Sequence, residues 1–242
     1  MSVIINGTTG VTFPNNAQSS PALTIQAGTA TLAPLTLNAG TLLTTPIAGS
    51  LEYDGVVPYF TPETIIRGII PAEQIIALTG SNTVVGTATT SLQNVFAGVG
   101  ASVTLPVGTY RFRGLYAGSK TSGTSWVYNT AFGGTATIAS IQYTVLRYYS
   151  TSGYSSANVN PSYALITTAS AATTMTSSSA STIYMLNLLE GIVQISVAGT
   201  LTPQYSTTGS SVGAVTHAAP TFFAISPLSG SASGNIIIGS WA

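Results

Sequence analysis

Short runs of alternating apolar and polar residues occupy most of the chain. These runs are rich in Val, Ile, Thr, Tyr and Phe and are separated by Gly, Pro, Asn and Ser, a pattern typical of β-strands joined by turns. No segment keeps a long, capped apolar period of 3.6 residues, and the best helical candidate, residues 71–78, is short. The sequence therefore predicts an all-β protein.

Two regions of distinct composition precede the main domain. Residues 1–48 form an N-terminal arm of short strand-like pieces, with no charged residue and too little large apolar bulk for a core of its own. We expect this extended arm to anchor the protein against a neighbouring subunit or a larger assembly. Residues 49–78 form a connector, in which Leu51–Tyr53 and residues 57–60 pair as a β-hairpin. We expect the hairpin to turn at Asp54 and Gly55, a residue pair suited to positive φ.

Residues 79–242 are predicted to form one C-terminal β-sandwich, since about 160 residues is a normal domain size. The predicted strands are residues 110–117, 125–132, 138–149, 163–168, 182–189, 192–198, 201–206, 221–226 and 235–239. Their number and spacing suit a jelly-roll-like sandwich, and a closed barrel is the alternative. We expect short turns between successive strands at Glu190-Gly191 and at Ala198-Gly199.

Charged residues make up only 4% of the chain, against about 25% in ordinary soluble domains. Five basic and five acidic residues give zero formal net charge, so no long-range field draws the chain to nucleic acid or an anionic membrane. The apolar stretches are shorter than the ~18 residues that a membrane-spanning helix needs. We therefore predict no nucleic-acid partner and no membrane insertion. Because a net charge near zero promotes association, we expect much of the surface to be buried between subunits.

The chain has no cysteine, which excludes disulfides and thiolate metal sites. Its first five residues, MSVII, carry no basic region and lead into no long apolar core. We therefore expect no secretory signal and synthesis in the cytoplasm.

Candidate catalytic groups are scarce. His217 is the only histidine and Asp54 the only aspartate, and no Gly-x-Ser-x-Gly elbow accompanies them, so we expect no serine hydrolase triad. Glycoside hydrolysis needs two carboxylates, whereas the predicted sandwich holds one acid, Glu190. We predict that the protein is not an enzyme, that it has no cofactor and that His217 is a strand-end or loop residue. We also predict no metal site within one chain; three copies of His217 around a trimer axis are an open alternative.

Arg111 and Arg113 alternate with Tyr110 and Phe112 on one predicted strand, so the two pairs lie on opposite faces. We expect the arginines to form a polar row that faces outward or toward another subunit. A sugar-binding strip is the alternative.

Tyrosines near residue 150 are the best candidates for a surface contact. Tyr148, Tyr149 and Tyr154 cluster beside a loop rich in Ser, Gly and Asn, which contains Asn158 and Asn160. Aromatic rings offer an apolar face to sugars while amides and hydroxyls hydrogen-bond, so binding of a host surface glycan requires no charge. Packing between subunits is the alternative role, and we favour it.

Several short motifs resemble those of bacteriophage virion proteins. Residues 49–55 (GSLEYDG), followed by residues 58–61 (PYFT), resemble a hairpin that occurs in bacteriophage fibre and other virion proteins. Residues 3–11 (VIINGTTGV) are similar to the start of many phage tail-associated proteins. Further motifs in the predicted sandwich are similar to a recurrent phage C-terminal domain; they lie at residues 98–105, 109–110 and 132–137.

The resemblance implies a homotrimer with an N-terminus that attaches to the particle and a C-terminal domain that projects from it. It transfers no catalytic residue. The expected function is a structural component of a bacteriophage particle, located in the virion: a short trimeric fibre or a capsid decoration (cement) protein, anchored to other virion proteins through residues 1–48. The alternative is a tail-fibre adsorption module that binds a host surface glycan.

Overall fold

Pairing between antiparallel strands dominates the computed structural model of this chain. The structure describes residue 25 and residues 27–80, 83–86, 90–98, 100–120, 125–150, 162–170, 172–177, 182–210 and 214–239. These residues contain sixteen β-strands and no helix, which confirms the all-β prediction.

The strands are β1 (Leu51–Tyr53), β2 (Pro58–Glu63), β3 (Ile66–Ile69), β4 (Gln74–Ala77), β5 (Thr83–Val85), β6 (Gln93–Asn94), β7 (Val103–Leu105), β8 (Gly108–Lys120), β9 (Ser125–Gly133), β10 (Thr137–Ser150), β11 (Ser162–Ile166), β12 (Ala172–Ser177), β13 (Ile183–Val197), β14 (Gly199–Ser210), β15 (Val215–Ala218) and β16 (Phe222–Ser229).

The chain divides into two compact units, Met1–Asn38 and Ala39–Ala242. In the described part of the first unit the backbone turns at Thr29, whose Oγ1 accepts a hydrogen bond from the Leu32 N–H at 3.1 Å. The sixteen strands all belong to the second unit. The predicted connector and sandwich are joined within this unit, because β4 pairs with β16.

The predicted hairpin is present. β1 and β2 pair antiparallel, with Leu51 opposite Phe60, and β3 extends this sheet on the other side of β2. The Asp54 carboxylate accepts a hydrogen bond from the Val57 N–H at 2.7 Å, and Gly55 has a φ of 100°. Asp and Gly fix this turn because the carboxylate replaces a backbone acceptor and glycine tolerates positive φ.

Two larger antiparallel sheets build the sandwich. The larger sheet has the order β11-β10-β13-β8-β15-β5. Strand β8 pairs along the same edge with both β15 and β16, and β4 pairs with the other edge of β16. The smaller sheet has the order β12-β9-β14-β6, and β7 also pairs with β14. These sheets confirm the fold class, whereas the jelly-roll connectivity stays a prediction.

The hydrophobic core lies between the inner faces of these two sheets. Phe112 of β8 contacts Phe132 of β9 with ring centroids 5.1 Å apart, and Phe132 meets Tyr143 of β10 edge-on at 5.4 Å. Alternation along β8 puts Phe112 inside while Arg111 and Arg113 are exposed. Alternate residues of this strand therefore point to the core and to the surface, as the sequence pattern predicts.

The predicted turn at Glu190-Gly191 is wrong. β13 runs without a break through both residues, and Gly191 is paired with Phe112 on one side and Tyr143 on the other. A Cβ at Gly191 would lie 2.3 Å from the Gln142 carbonyl oxygen and 2.3 Å from the Tyr143 Cβ. Glycine is used here for close approach of a neighbouring strand rather than for a turn. Ala198 does separate two strands, but β13 and β14 belong to different sheets.

The presence of a partner strand decides the structure of two further segments. Residues 71–78, the helical candidate, contain β4, which is extended because it pairs with β16. Residues 235–239 carry an apolar run but form no strand, and no strand among the described residues pairs with them.

We expect Gly191→Ala to lower the free energy of unfolding by about 2–3 kcal/mol, because the new methyl group must displace backbone in the middle of a paired sheet. Urea unfolding followed by circular dichroism measures this loss. Gly40→Ala is the control, since a Cβ there meets nothing within 4 Å. Equal stability of the two variants would contradict the role given to Gly191.

Candidate functional site

His217, predicted to be a strand-end or loop residue, is the third of the four residues of β15 and lies in the core of the sandwich. It is fully buried on β15, and its Nε2 is 2.9 Å from the Tyr128 hydroxyl. The Tyr205 ring packs edge-on against it, with centroids 4.7 Å apart. Burial lowers the pKa of His217 from 6.5 to about 3, so the imidazole is neutral at physiological pH.

This burial also removes His217 from the alternatives weighed on the sequence. A side chain enclosed within its own subunit does not reach copies of itself at a trimer axis. Asp54 lies in the separate three-stranded sheet, where its Oδ2 accepts from the Tyr59 hydroxyl at 3.0 Å. Burial, followed by the hydrogen bond to Asp54, raises the pKa of Tyr59. The only histidine and the only aspartate are therefore committed to separate structural contacts.

The part of the chain that the structure describes holds no group of three or more His, Asp or Glu side chains that could bind a metal ion. Across the same residues, no helix is long and apolar enough to cross a membrane.

The hairpin carries a buried ion pair that also holds the segment preceding it. Arg67 Nε donates to Glu52 Oε2 at 2.9 Å, and the two side chains are only 17% and 11% exposed. Glu52 Oε1 accepts from the Leu43 N–H at 2.7 Å, and Arg67 Nη2 donates to the Leu43 carbonyl oxygen at 2.6 Å. Both backbone groups of Leu43 are thus tied to the ion pair.

Two ion pairs lie on the outer face of the larger sheet. Arg113 donates two hydrogen bonds to Glu73, at 3.1 and 3.0 Å, and Arg111 pairs with Glu190. The hydrogen bond from Arg113 lowers the pKa of Glu73. The outward orientation predicted for Arg111 and Arg113 is confirmed. Because solvent screens these exposed pairs, they contribute little to stability.

An apolar row runs beside the charges on the same face, and sequence reasoning missed it. Strand pairing places Leu146, Leu188, Leu115 and Phe222 side by side across β10, β13, β8 and β16. Leu146 and Leu188 are exposed, and Leu115 and Phe222 are partly exposed. The sequence contains one signal for this row. Consecutive residues of a strand point to opposite faces, and consecutive apolar residues such as the exposed Leu188 and the buried Leu189 therefore make both faces of the strand apolar.

The two predicted contact residues that the structure describes, Tyr148 and Tyr149, do not lie on one face. Tyr148 and Tyr149 are neighbours on β10 and therefore point to opposite faces; Tyr148 is paired with Leu186, whereas Tyr149 is paired with Met185 and packs against the core. Both tyrosines are partly buried. The other members of the predicted cluster, Tyr154, Asn158 and Asn160, lie outside the described residues.

Comparison with known proteins adds little to this geometry. No family model matches the sequence, and no curated protein matches it. Among solved structures, the chain is similar to a chain in the "Structure of infectious bursal disease virus Gt strain", with 10% sequence identity and a TM-score of 0.19. The alignment covers 77% of this chain and 49% of that one, so the chain spans about half the length of its match. At this TM-score the likeness bears on neither fold nor function.

Proposed function

We propose that the chain is a non-enzymatic structural subunit of a bacteriophage particle, a short trimeric fibre or a capsid decoration protein whose N-terminal arm, residues 1–48, attaches to other virion proteins. The observation that carries this proposal is the combination of an all-β fold with almost no ionisable surface and an exposed apolar sheet face. Such a molecule gains stability and affinity by contact with other subunits, because interfaces of permanent assemblies resemble a domain core cut in half.

The hairpin that resembles phage virion proteins supports a structural role, because each residue of its EYDG motif makes a contact within the hairpin region. Glu52 binds Arg67, the Tyr53 hydroxyl donates to the Gly55 carbonyl at 2.7 Å, and Asp54 caps the turn. The motif therefore serves to build a rigid connector. The side chains of this motif hold the hairpin in its conformation.

Binding of a host glycan stays a prediction for the loop that contains Tyr154, Asn158 and Asn160. The described residues supply no observation that favours it over packing between subunits, since Tyr148 and Tyr149 point to opposite faces of β10.

Removal of residues 1–38 tests the anchoring role. The deletion ends at residue 38 because the second compact unit begins at Ala39 and Leu43 is tied to Glu52 and Arg67. We expect the shortened protein to keep its far-ultraviolet circular dichroism and to lose at least tenfold in cosedimentation with particles assembled in its absence. The full chain, added to the same particles, is the positive control. Undiminished attachment of a folded shortened protein would contradict the role given to the arm.

Gold-labelled antibody against the full chain tests the virion location itself. We expect label on intact particles from a lysate of the producing host. Label confined to unassembled material would contradict the proposal.

A further inference from the structure

We propose that copies of this chain bind one another through the outer face of the larger sheet, centred on the apolar row of Leu146, Leu188, Leu115 and Phe222. The inference rests on the proposed function, since it names the surface by which the proposed oligomer is held together. In the assembled particle this face is turned toward a neighbouring subunit.

Large apolar side chains occupy outward-facing positions of this sheet. In an antiparallel sheet with one face in water, outward positions are normally polar. Here four neighbouring strands each place a large apolar side chain in one transverse row, and Leu188 in its middle is 45% exposed. Leu165 and Ile192 flank the row on the same face, and Leu165 is 66% exposed. A contiguous patch of this kind marks a surface that is buried in the functional state.

The charges on this face favour a second copy of the chain as its partner. The four charged residues of this face, Glu73, Arg113, Glu190 and Arg111, neutralise one another in two ion pairs. The face offers no excess charge to an acidic or basic partner. Because the whole chain has zero formal net charge, no long-range repulsion opposes the approach of two copies.

The area of this face suits an interface between two copies of the chain. The five adjacent strands β11, β10, β13, β8 and β16 are about 19 Å across at ~4.8 Å per strand. β8 and β13 are paired from Ile183 opposite Lys120 to Ile195 opposite Gly108, a length of about 44 Å at ~3.4 Å per residue. Because β11 and β16 are shorter than β8, the product of about 800 Å² is the full extent of the face, and it is comparable to the area that each partner buries in a stable interface of standard size.

Sedimentation velocity of the full chain across micromolar concentrations tests this surface. We expect the unaltered protein to sediment as an oligomer and Leu188→Glu to sediment as a folded monomer, with self-association weakened at least a hundredfold. The reason is that the carboxylate would be buried without a partner. Leu92→Glu is the matched control, since Leu92 is 49% exposed but does not belong to this face. We expect it to remain oligomeric.

A second variant keeps the test decisive if Leu188→Glu does not fold. Leu146→Glu alters the cross-strand neighbour of Leu188 on β10 and is expected to give the same monomer, with folding checked by circular dichroism. If the Leu188→Glu and Leu146→Glu proteins fold and associate as strongly as the unaltered chain, the assignment of this face is wrong. The chain would still be an oligomer, held together by another surface. A monomeric unaltered chain would instead overturn the oligomer on which the proposed function rests.

Discussion

We expect a decrease in pH from 7 to 4 to lower the free energy of unfolding of this protein by about 3 kcal/mol through His217 alone. The cause is the difference between the two states of one imidazole. In the folded chain, burial lowers the pKa of His217 to about 3, whereas in the unfolded chain it has its ordinary value of 6.5. As the pH falls below 6.5, the unfolded chain takes up a proton that the folded chain cannot accept.

The sign and the pH window follow from these two values. The contribution of His217 is fully present above pH 6.5 and is lost progressively as the pH falls toward 3. The slope in this window is about 1.4 kcal/mol per pH unit. Glu73, whose pKa is lowered by its bond to Arg113, affects stability only below its ordinary value of 4.5. Between pH 6.5 and 5, His217 is therefore expected to dominate.

Urea unfolding at pH 7, 6, 5 and 4 measures the effect, and His217→Phe is the matched variant. Phenylalanine keeps a ring against Tyr205 and removes the titratable group, so we expect the slope between pH 6.5 and 5 to disappear. The interpretation is clean because the chain has a single histidine. An unchanged slope in His217→Phe would show that another group is responsible.

We expect replacement of Glu52 by Ala to lower the free energy of unfolding by about 3 kcal/mol, the low end of the range for breaking a buried ion pair. The substitution leaves the guanidinium of Arg67 in a largely buried position without its carboxylate, and it removes the acceptor of the Leu43 N–H. Urea unfolding measures the loss, and amide hydrogen exchange at Leu43 reports the release of this segment. We expect faster exchange at Leu43 in the variant than in the unaltered chain.

The exposed pair on the sheet face supplies the control. Glu73→Ala breaks an ion pair of similar geometry, with Arg113 56% and Glu73 35% exposed. Because solvent screens this pair, we expect Glu73→Ala to change the free energy of unfolding much less than Glu52→Ala does. If both variants lost the same stability, burial would not be the reason for the importance of Glu52.

Much of the fold follows from local pattern, and most of the candidate site does not. The hairpin at Asp54 and Gly55 was predictable because the turn depends on groups only two or three residues apart. The burial of His217 was not, because its partner Tyr128 lies 89 residues away in the other sheet. The same limit explains the apolar row of Leu146 and Leu188, which exists only when strands β10 and β13 are paired.

By itself, the sequence determined that this protein is all-β, that it has almost no charge and that a hairpin forms at one Asp-Gly turn, since these properties depend on composition and on neighbouring residues. Only the tertiary structure decided that Gly191 lies within a strand, that residues 235–239 do not form one and that His217 is buried. It also decided that large apolar side chains form a row on an open face. Each of these depends on which distant strand lies alongside, and the pairing of strands is a property of the whole chain.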